Sequence, residues 1–464
     1  MKKMLAFGLC LFSVFSFSQD ITGDWFGNLN VMGTQLGITF TLNQNDSKYF
    51  GSMSVPQQQA YNIPLTKVTF QNNQLNLGFE PAGISYSGNW NEDQTFIGTF
   101  TQNGQRFPMT LSREKTIETK PLRPQEPQEP FPYNIEEVVF PNPKGNFNLA
   151  GTLTFPKTKS FPVVVLISGS GPQNRDSELF GHKPFWVIAD HLTRNGIAVL
   201  RIDDRGVGQS GGDPSNATSF DFAQDIEAAL TFLKNKPGFK FSKLGLIGHS
   251  EGGMIAPIVA ANEKSVNFVI LLAGPGIPCD ELLLEQTLLI TKNSNLKDLE
   301  IQKTFETNKA LYAIAKSNRT ENEAQLEMEK WLKEAIQSNL AYATFSENEK
   351  KQLIEEQTNS MLSPWFRYFV RYNPDDYLKK LKCPVLALNG SKDLQVAPKS
   401  NLNGIQKSLE LAGNKKVTVK EYADLNHLFQ KCETGRVEEY GTIEETFSRE
   451  VLQDITQWIK SLTF

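Results

Sequence analysis

The chain has 464 residues, 39% hydrophobic and 21% charged, with 32 Phe and a net charge of −4. That length exceeds one ordinary core, so two or three domains are expected. An acidic chain without basic clusters argues against nucleic acid and anionic membrane surfaces as partners, and past the N-terminus no stretch approaches the ~18 uninterrupted apolar residues of a membrane span.

Met1-Lys2-Lys3 precedes an almost wholly apolar run from Met4 to Phe17, and Ser16-Phe17-Ser18 offers small residues at the two cleavage positions. This is the pattern of a secretory leader over 1–18, too short for an anchor helix, and it predicts an exported protein, periplasmic or secreted. A lipid anchor at Cys10 is disfavoured because Phe7-Gly8-Leu9 is a poor lipobox. Removing the leader deletes Lys2 and Lys3 and no acid, taking the net charge from −4 to −6. The remaining cysteines, Cys279, Cys383 and Cys432, contain no CxxC. They leave room for one bridge (Cys279 with Cys432 is one pairing) but not for a disulfide-built scaffold. Only four histidines occur, none in an HxxxH or HExxH pair, so neither a catalytic metal nor a cofactor is expected.

Residues 19–113 read as a small all-β barrel or sandwich. Leu36, Ile38, Phe40 and Leu42 alternate with polar or small residues, as do Leu75, Leu77 and Phe79, and Phe107, Met109 and Leu111. Asn72-Asn73 and Asn103-Gly104 supply turn signals. Residues 114–133 hold five prolines among charges and predict an extended, semi-stiff spacer.

From 134 to 464 the rhythm is α/β: continuous apolar runs alternate with helical patterns, predicting a mostly parallel sheet covered on both faces. The runs 161–171, 197–212, 244–248, 266–276 and 383–390 nearly all finish in Gly, Ser or Asp. Functional loops are therefore expected along the carboxyl edge of the sheet. Residues 279–380 interrupt the rhythm with amphipathic helices and predict a cap or lid beside that edge. Leu326, Met328, Trp331, Leu332 and Ile336 fall near helical spacing within it.

Gly248-His249-Ser250-Glu251-Gly252 follows a buried strand and precedes an apolar helix. Small residues two before and two after a serine allow a sharp strand-to-helix turn that exposes its hydroxyl. A serine nucleophile needs a base. His249 points away from Ser250 in such a turn and reads as structural, and His182 and His191 lie too early. His427, after the last strand, has the right address. Asp393, in the loop after the preceding strand, is the acid expected to orient it, with Asp280 as competitor. The order Ser250, Asp393, His427 is that of an α/β-hydrolase triad. Oxyanion donors are expected from the amides of Glu251 and Ser170, with Gly169 and Gly171 making room. Asp203 and Asp204 read as structural, with an Arg205 ion pair. Trp365, Phe366 and Phe369 are candidates for a substrate pocket, although packing the cap onto the sheet explains them equally well.

These motifs, with "GSGPQNRD", "RIDDRGVGQSGG", "CPVLALNGSKDLQV" and "LNHLFQ", resemble the α/β-hydrolase superfamily over about 135–464. Within it they are similar to a bacterial carboxylesterase branch grouped with serine aminopeptidase-like and acyl-thioesterase-like hydrolases. Secreted members of that branch carry a β-rich N-terminal module. Ser168-Gly169 stands where the superfamily commonly has His-Gly. The expected function is a serine hydrolase that cleaves small-molecule carboxylic esters through an acyl-enzyme. A serine aminopeptidase or thioesterase with the same triad is the alternative; an aminopeptidase would need an acidic pocket, for which Glu281, Glu285, Asp375 and Asp376 are candidates. A catalytically dead binding protein is the third reading.

Overall fold

The computed structural model describes residues 20–31, 34–46, 48–55, 60–102, 105–115, 122–294, 296–339, 342–343 and 345–462. The expected leader, the Asn103-Gly104 turn and residues 116–121 of the expected spacer lie outside the described residues. The chain divides into two compact units near residue 118.

The first unit is all β. A four-stranded sheet runs from Gly23–Val31 to Ala60–Pro64, and a five-stranded antiparallel meander runs from Lys67–Gln71 to Gln105–Leu111. Alternation explains the core: Ile38, Phe40 and Leu42 are buried, and they share one cluster with Leu75, Leu77, Met109 and Leu111. Trp25, packed edge-on against Phe96 at 4.8 Å, sits in the same cluster. Asn72 and Asn73 close the hairpin between paired Gln71 and Gln74 with φ of 51° and 63°. Positive φ at both central residues is the requirement of a tight hairpin turn, and Asn meets it at little cost.

The second unit holds an eight-stranded sheet. Its strands lie in the order 134–142, 147–155, 198–202, 161–167, 241–249, 268–272, 385–390 and 417–422. The first two pairings are antiparallel and the rest parallel. The central strands need no alternation because both faces are covered. Val163, Val165 and Ile167 enter one core cluster, whereas Val164 and Leu166 enter the other. Chain order reverses beside the strand Phe161–Ile167, so a crevice opens outside the carboxyl ends of that strand and of Phe241–His249.

The helical insertion follows strand Phe268–Leu272 and includes helices Cys279–Lys292, Asp298–Lys316, Glu321–Ser338 and Glu347–Leu362. In Glu321–Ser338 the buried stripe is Ala324, Met328, Leu332 and Ile336, four apart, while Leu326 is exposed and Trp331 sits at the margin. Residues 122–133 are not a free spacer. Arg123, Gln125 and Tyr133 all bond into the second unit, Tyr133 through its hydroxyl to Asp190 Oδ1 at 2.7 Å. The described cysteines are free.

Candidate active site

Ser250 occupies the turn between strand Phe241–His249 and helix Gly252–Asn262 at φ 55°, a left-handed conformation costing a non-glycine residue about 1–3 kcal/mol. The surrounding glycines are needed for space. A Cβ on Gly248 would lie 2.0 Å from the Gly252 carbonyl oxygen, and one on Gly252 would lie 2.1 Å from that of Ile167. Two bonds fix the turn: Ser250 N–H donates to the Leu272 carbonyl (2.9 Å) and Gly253 N–H to that of Ser250 (2.8 Å).

Asp393 follows strand Val385–Gly390. Its Oδ1 accepts the amides of Gln395 (2.8 Å) and Val396 (2.9 Å), and its Oδ2 faces His427 Nδ1 at 2.8 Å. A carboxylate can only accept, so this contact favours the tautomer of a neutral imidazole that carries its proton on Nδ1 and leaves the Nε2 lone pair free. Ser250 and His427 line one cavity. His249 Nε2 bonds the His427 backbone carbonyl at 2.9 Å. Burial, reinforced by the neighbouring His427, lowers His249 to about 4, so it is neutral near pH 7 and buttresses the loop. The competing acid, Asp280, is paired with Lys316 of the insertion at 2.6 Å.

The Ser168–Gly171 loop lies against the turn: a Cβ on Gly169 would sit 3.2 Å from Ser250 Cβ, and Ser170 lines the same cavity. Glu251 immediately precedes helix Gly252–Asn262, so its amide lies beside Ser250 at a helix N-terminus. Its side chain, 2% exposed, accepts Ser219 Oγ (2.6 Å) and Trp365 Nε1 (2.9 Å), with Ser170 a further donor. Burial raises the Glu251 carboxyl despite those bonds. Asp204 accepts Ser168 Oγ (2.8 Å) and Gln173 N–H (2.9 Å), and burial pushes it up to about 7. The expected pairing within "DDR" is corrected. Asp203 pairs with Arg175 at 2.7 Å and Arg205 with Asp225 at 2.8 Å, because adjacent loop side chains diverge toward different elements.

Residues 184–431, more than half of the chain, match the family model described as serine aminopeptidase, S33. The chain belongs to the serine aminopeptidase S33 family. The matched stretch contains Ser250, Asp393 and His427; Ser170 precedes it. The chain is similar to esterase EstD of Thermotoga maritima, 25% identical over 313 residues, which is 67% of this chain and 65% of EstD. It is also similar to polyketide transferase af380 of Aspergillus fumigatus, 30% identical over 138 residues, covering 30% of this chain and 44% of the relative. The chain thus spans less than two thirds of either relative. Among solved structures, the Pyrococcus furiosus esterase Pf2001 aligns with a TM-score of 0.43 and 15% identity, over 74% of this chain and 96% of that one.

In this S33 chain the cavity at Ser250 has a volume of about 260 Å³. Its walls include Phe180, Phe185, Ile188, Tyr440 and Phe447. They come from the segment after the Ser168–Gly171 loop and from the segment after His427, not from the helical insertion. The expectation for Trp365, Phe366 and Phe369 is therefore corrected: none lines this cavity. Phe369 is buried beneath the insertion, half-buried Phe366 packs against its core beside Tyr312, and the Trp365 indole is committed to Glu251. Phe180 and Tyr440 escape sequence reasoning because one sits in a tight turn and the other ends the four-residue helix Val437–Tyr440, both too short to show periodicity. Among the described residues no cluster of His, Cys, Asp or Glu is arranged to hold a metal ion.

Proposed function

We propose that the chain is a serine hydrolase that cleaves small-molecule carboxylic esters. The carrying observation is a strained, half-buried serine sharing one cavity with a histidine whose Nδ1 is held by a buried carboxylate. In this reading His427 Nε2 takes the Ser250 proton as Oγ attacks the ester carbonyl. The amides of Glu251 and Ser170 stabilise the oxyanion, each donor being worth roughly 3–4 kcal/mol in the transition state. His427 returns the proton to the leaving alcohol, which departs as the carbonyl re-forms. Water, deprotonated by His427, then attacks the acyl-enzyme and frees Ser250.

Ester rather than aminoacyl-amide substrates are favoured by the walls. No Asp, Glu, Lys or Arg lines the cavity among the described residues, so no lining carboxylate is there to pair with a free α-ammonium group. Glu281 and the 375–376 carboxylates lie elsewhere, and Glu285 bonds Ser400. The esterase name of the Thermotoga relative supports the same choice. The test is turnover of p-nitrophenyl esters beside aminoacyl-p-nitroanilides. Ester hydrolysis lost in Ser250→Ala is expected; amide turnover without ester turnover would overturn the reading.

A further inference from the structure

We infer that residues 122–127 form a strap that sets the shape of the cavity, with Arg123 as a positioning residue for the substrate's acyl group. The acyl assignment rests on the proposed esterase reading; the strap itself does not.

Two segments far apart in the chain supply much of the cavity wall. The first makes a tight turn at Phe180-Gly181, where φ is 52° and 72° and Leu179 and His182 exchange amide bonds at 3.1 and 2.9 Å. The second runs from Leu428 to Phe447 and contributes Tyr440. The rings of Phe180 and Tyr440 meet edge-on across the join, centroids 5.5 Å apart at 89°. A phenylalanine in the left-handed region stays there only if its surroundings hold it.

Arg123 supplies that hold. Its Nη2 donates to the Phe180 carbonyl (3.1 Å) and its Nε to that of Gly181 (3.1 Å), capturing both turn residues. The same guanidinium donates from Nη2 to Gly441 O and from Nη1 to Ile443 O, each at 2.8 Å, on the second segment. Gln125 adds to the second segment, donating to Phe447 O (2.7 Å) and accepting the amides of Thr446 (2.6 Å) and Phe447 (3.0 Å). One planar fork thus spans both walls. A lysine ammonium, a point donor, does not reproduce that span. Phe180, Tyr440 and Phe447, whose backbones are held directly or through a neighbour, are all wall residues.

The test uses full-length Arg123→Ala, Arg123→Lys and Gln125→Ala proteins. Hydrogen–deuterium exchange is followed in peptides covering 171–183 and 428–447, with the central strands as reference. Arg123→Ala and Arg123→Lys are expected to exchange about tenfold faster in both segments and unchanged in the strands, and Gln125→Ala only in the second. With p-nitrophenyl esters, KM for a long acyl chain should rise about tenfold relative to that for acetyl in the Arg123 variants. Unchanged exchange in either segment of Arg123→Ala, or a rise shared equally by the strands, overturns the strap. Should Arg123→Ala not fold, Arg123→Lys and Gln125→Ala carry the same reading. Faster segment exchange in a protein whose parent hydrolyses no ester would support the strap and overturn only the acyl assignment.

Discussion

His427 Nδ1 lies 2.8 Å from Asp393 Oδ2, and the two residues are only 3% and 2% exposed. Asp393 is itself oriented by two backbone amides, so it dictates which imidazole nitrogen carries the proton. Asp393→Asn should leave the protein folded but invert that preference. The expected result is a kcat lower by roughly 10⁴ with KM little changed, measured on a p-nitrophenyl ester. A loss below tenfold would mean that Asp393 does not orient the base.

Ser250 stores backbone strain at φ 55°. Ser250→Gly and Ser250→Ala should both be inactive, yet the glycine variant should be the more stable, by about 1 kcal/mol. Thermal unfolding of the two variants checks this. Equal midpoints would mean that the turn is held without cost.

The turn at Ser250 is legible in the sequence because its glycines are demanded by backbone approaches of 2.0 and 2.1 Å, which no other residue tolerates. The sheet is legible for a related reason: strands such as Phe161–Ile167, buried on both faces, leave an apolar run that stands out. The cavity walls are not. Phe180 and Tyr440 meet through tertiary contacts between segments far apart in the chain, and nothing local marks either. Trp365, Phe366 and Phe369 mislead because an aromatic cluster on an amphipathic helix looks the same whether it faces a pocket or a core. Arg123 sits among prolines that read as a spacer, and its role depends on four carbonyls that have no sequence signature.

Phe180 and Phe366 make that distinction measurable. Phe180→Ala should enlarge the cavity and raise the long-chain to short-chain ratio of kcat/KM. Phe366→Ala should leave that ratio alone and lower stability by roughly 3 kcal/mol, as lost packing within the insertion requires. A changed ratio in Phe366→Ala would return that ring to the substrate site.

His182 links the two wall segments from within, its Nδ1 2.9 Å from Thr446 Oγ1 and its Nε2 2.9 Å from the Tyr440 carbonyl. Burial, with Arg123 adding repulsion, lowers it from 6.5 to about 4. The unfolded chain therefore takes up the proton first as pH falls. The neutral ring's contribution is complete above about 6.5 and is lost as pH drops toward about 4, at close to 1.4 kcal/mol per unit. His182→Gln cannot titrate, so its stability deficit against the parent should shrink between pH 7 and pH 4.5 in urea unfolding. A deficit constant with pH would mean that His182 does not titrate in this way.

Ser250 is the proposed nucleophile. The most direct measurement is reaction of the purified protein with a fluorophosphonate, followed by peptide mass spectrometry and residual ester turnover. One phosphonyl group per chain on Ser250, turnover lost in step with labelling, and neither reaction in Ser250→Ala is the predicted result. Ester turnover that survives in a folded Ser250→Ala protein, or a label seated on another residue, would contradict it.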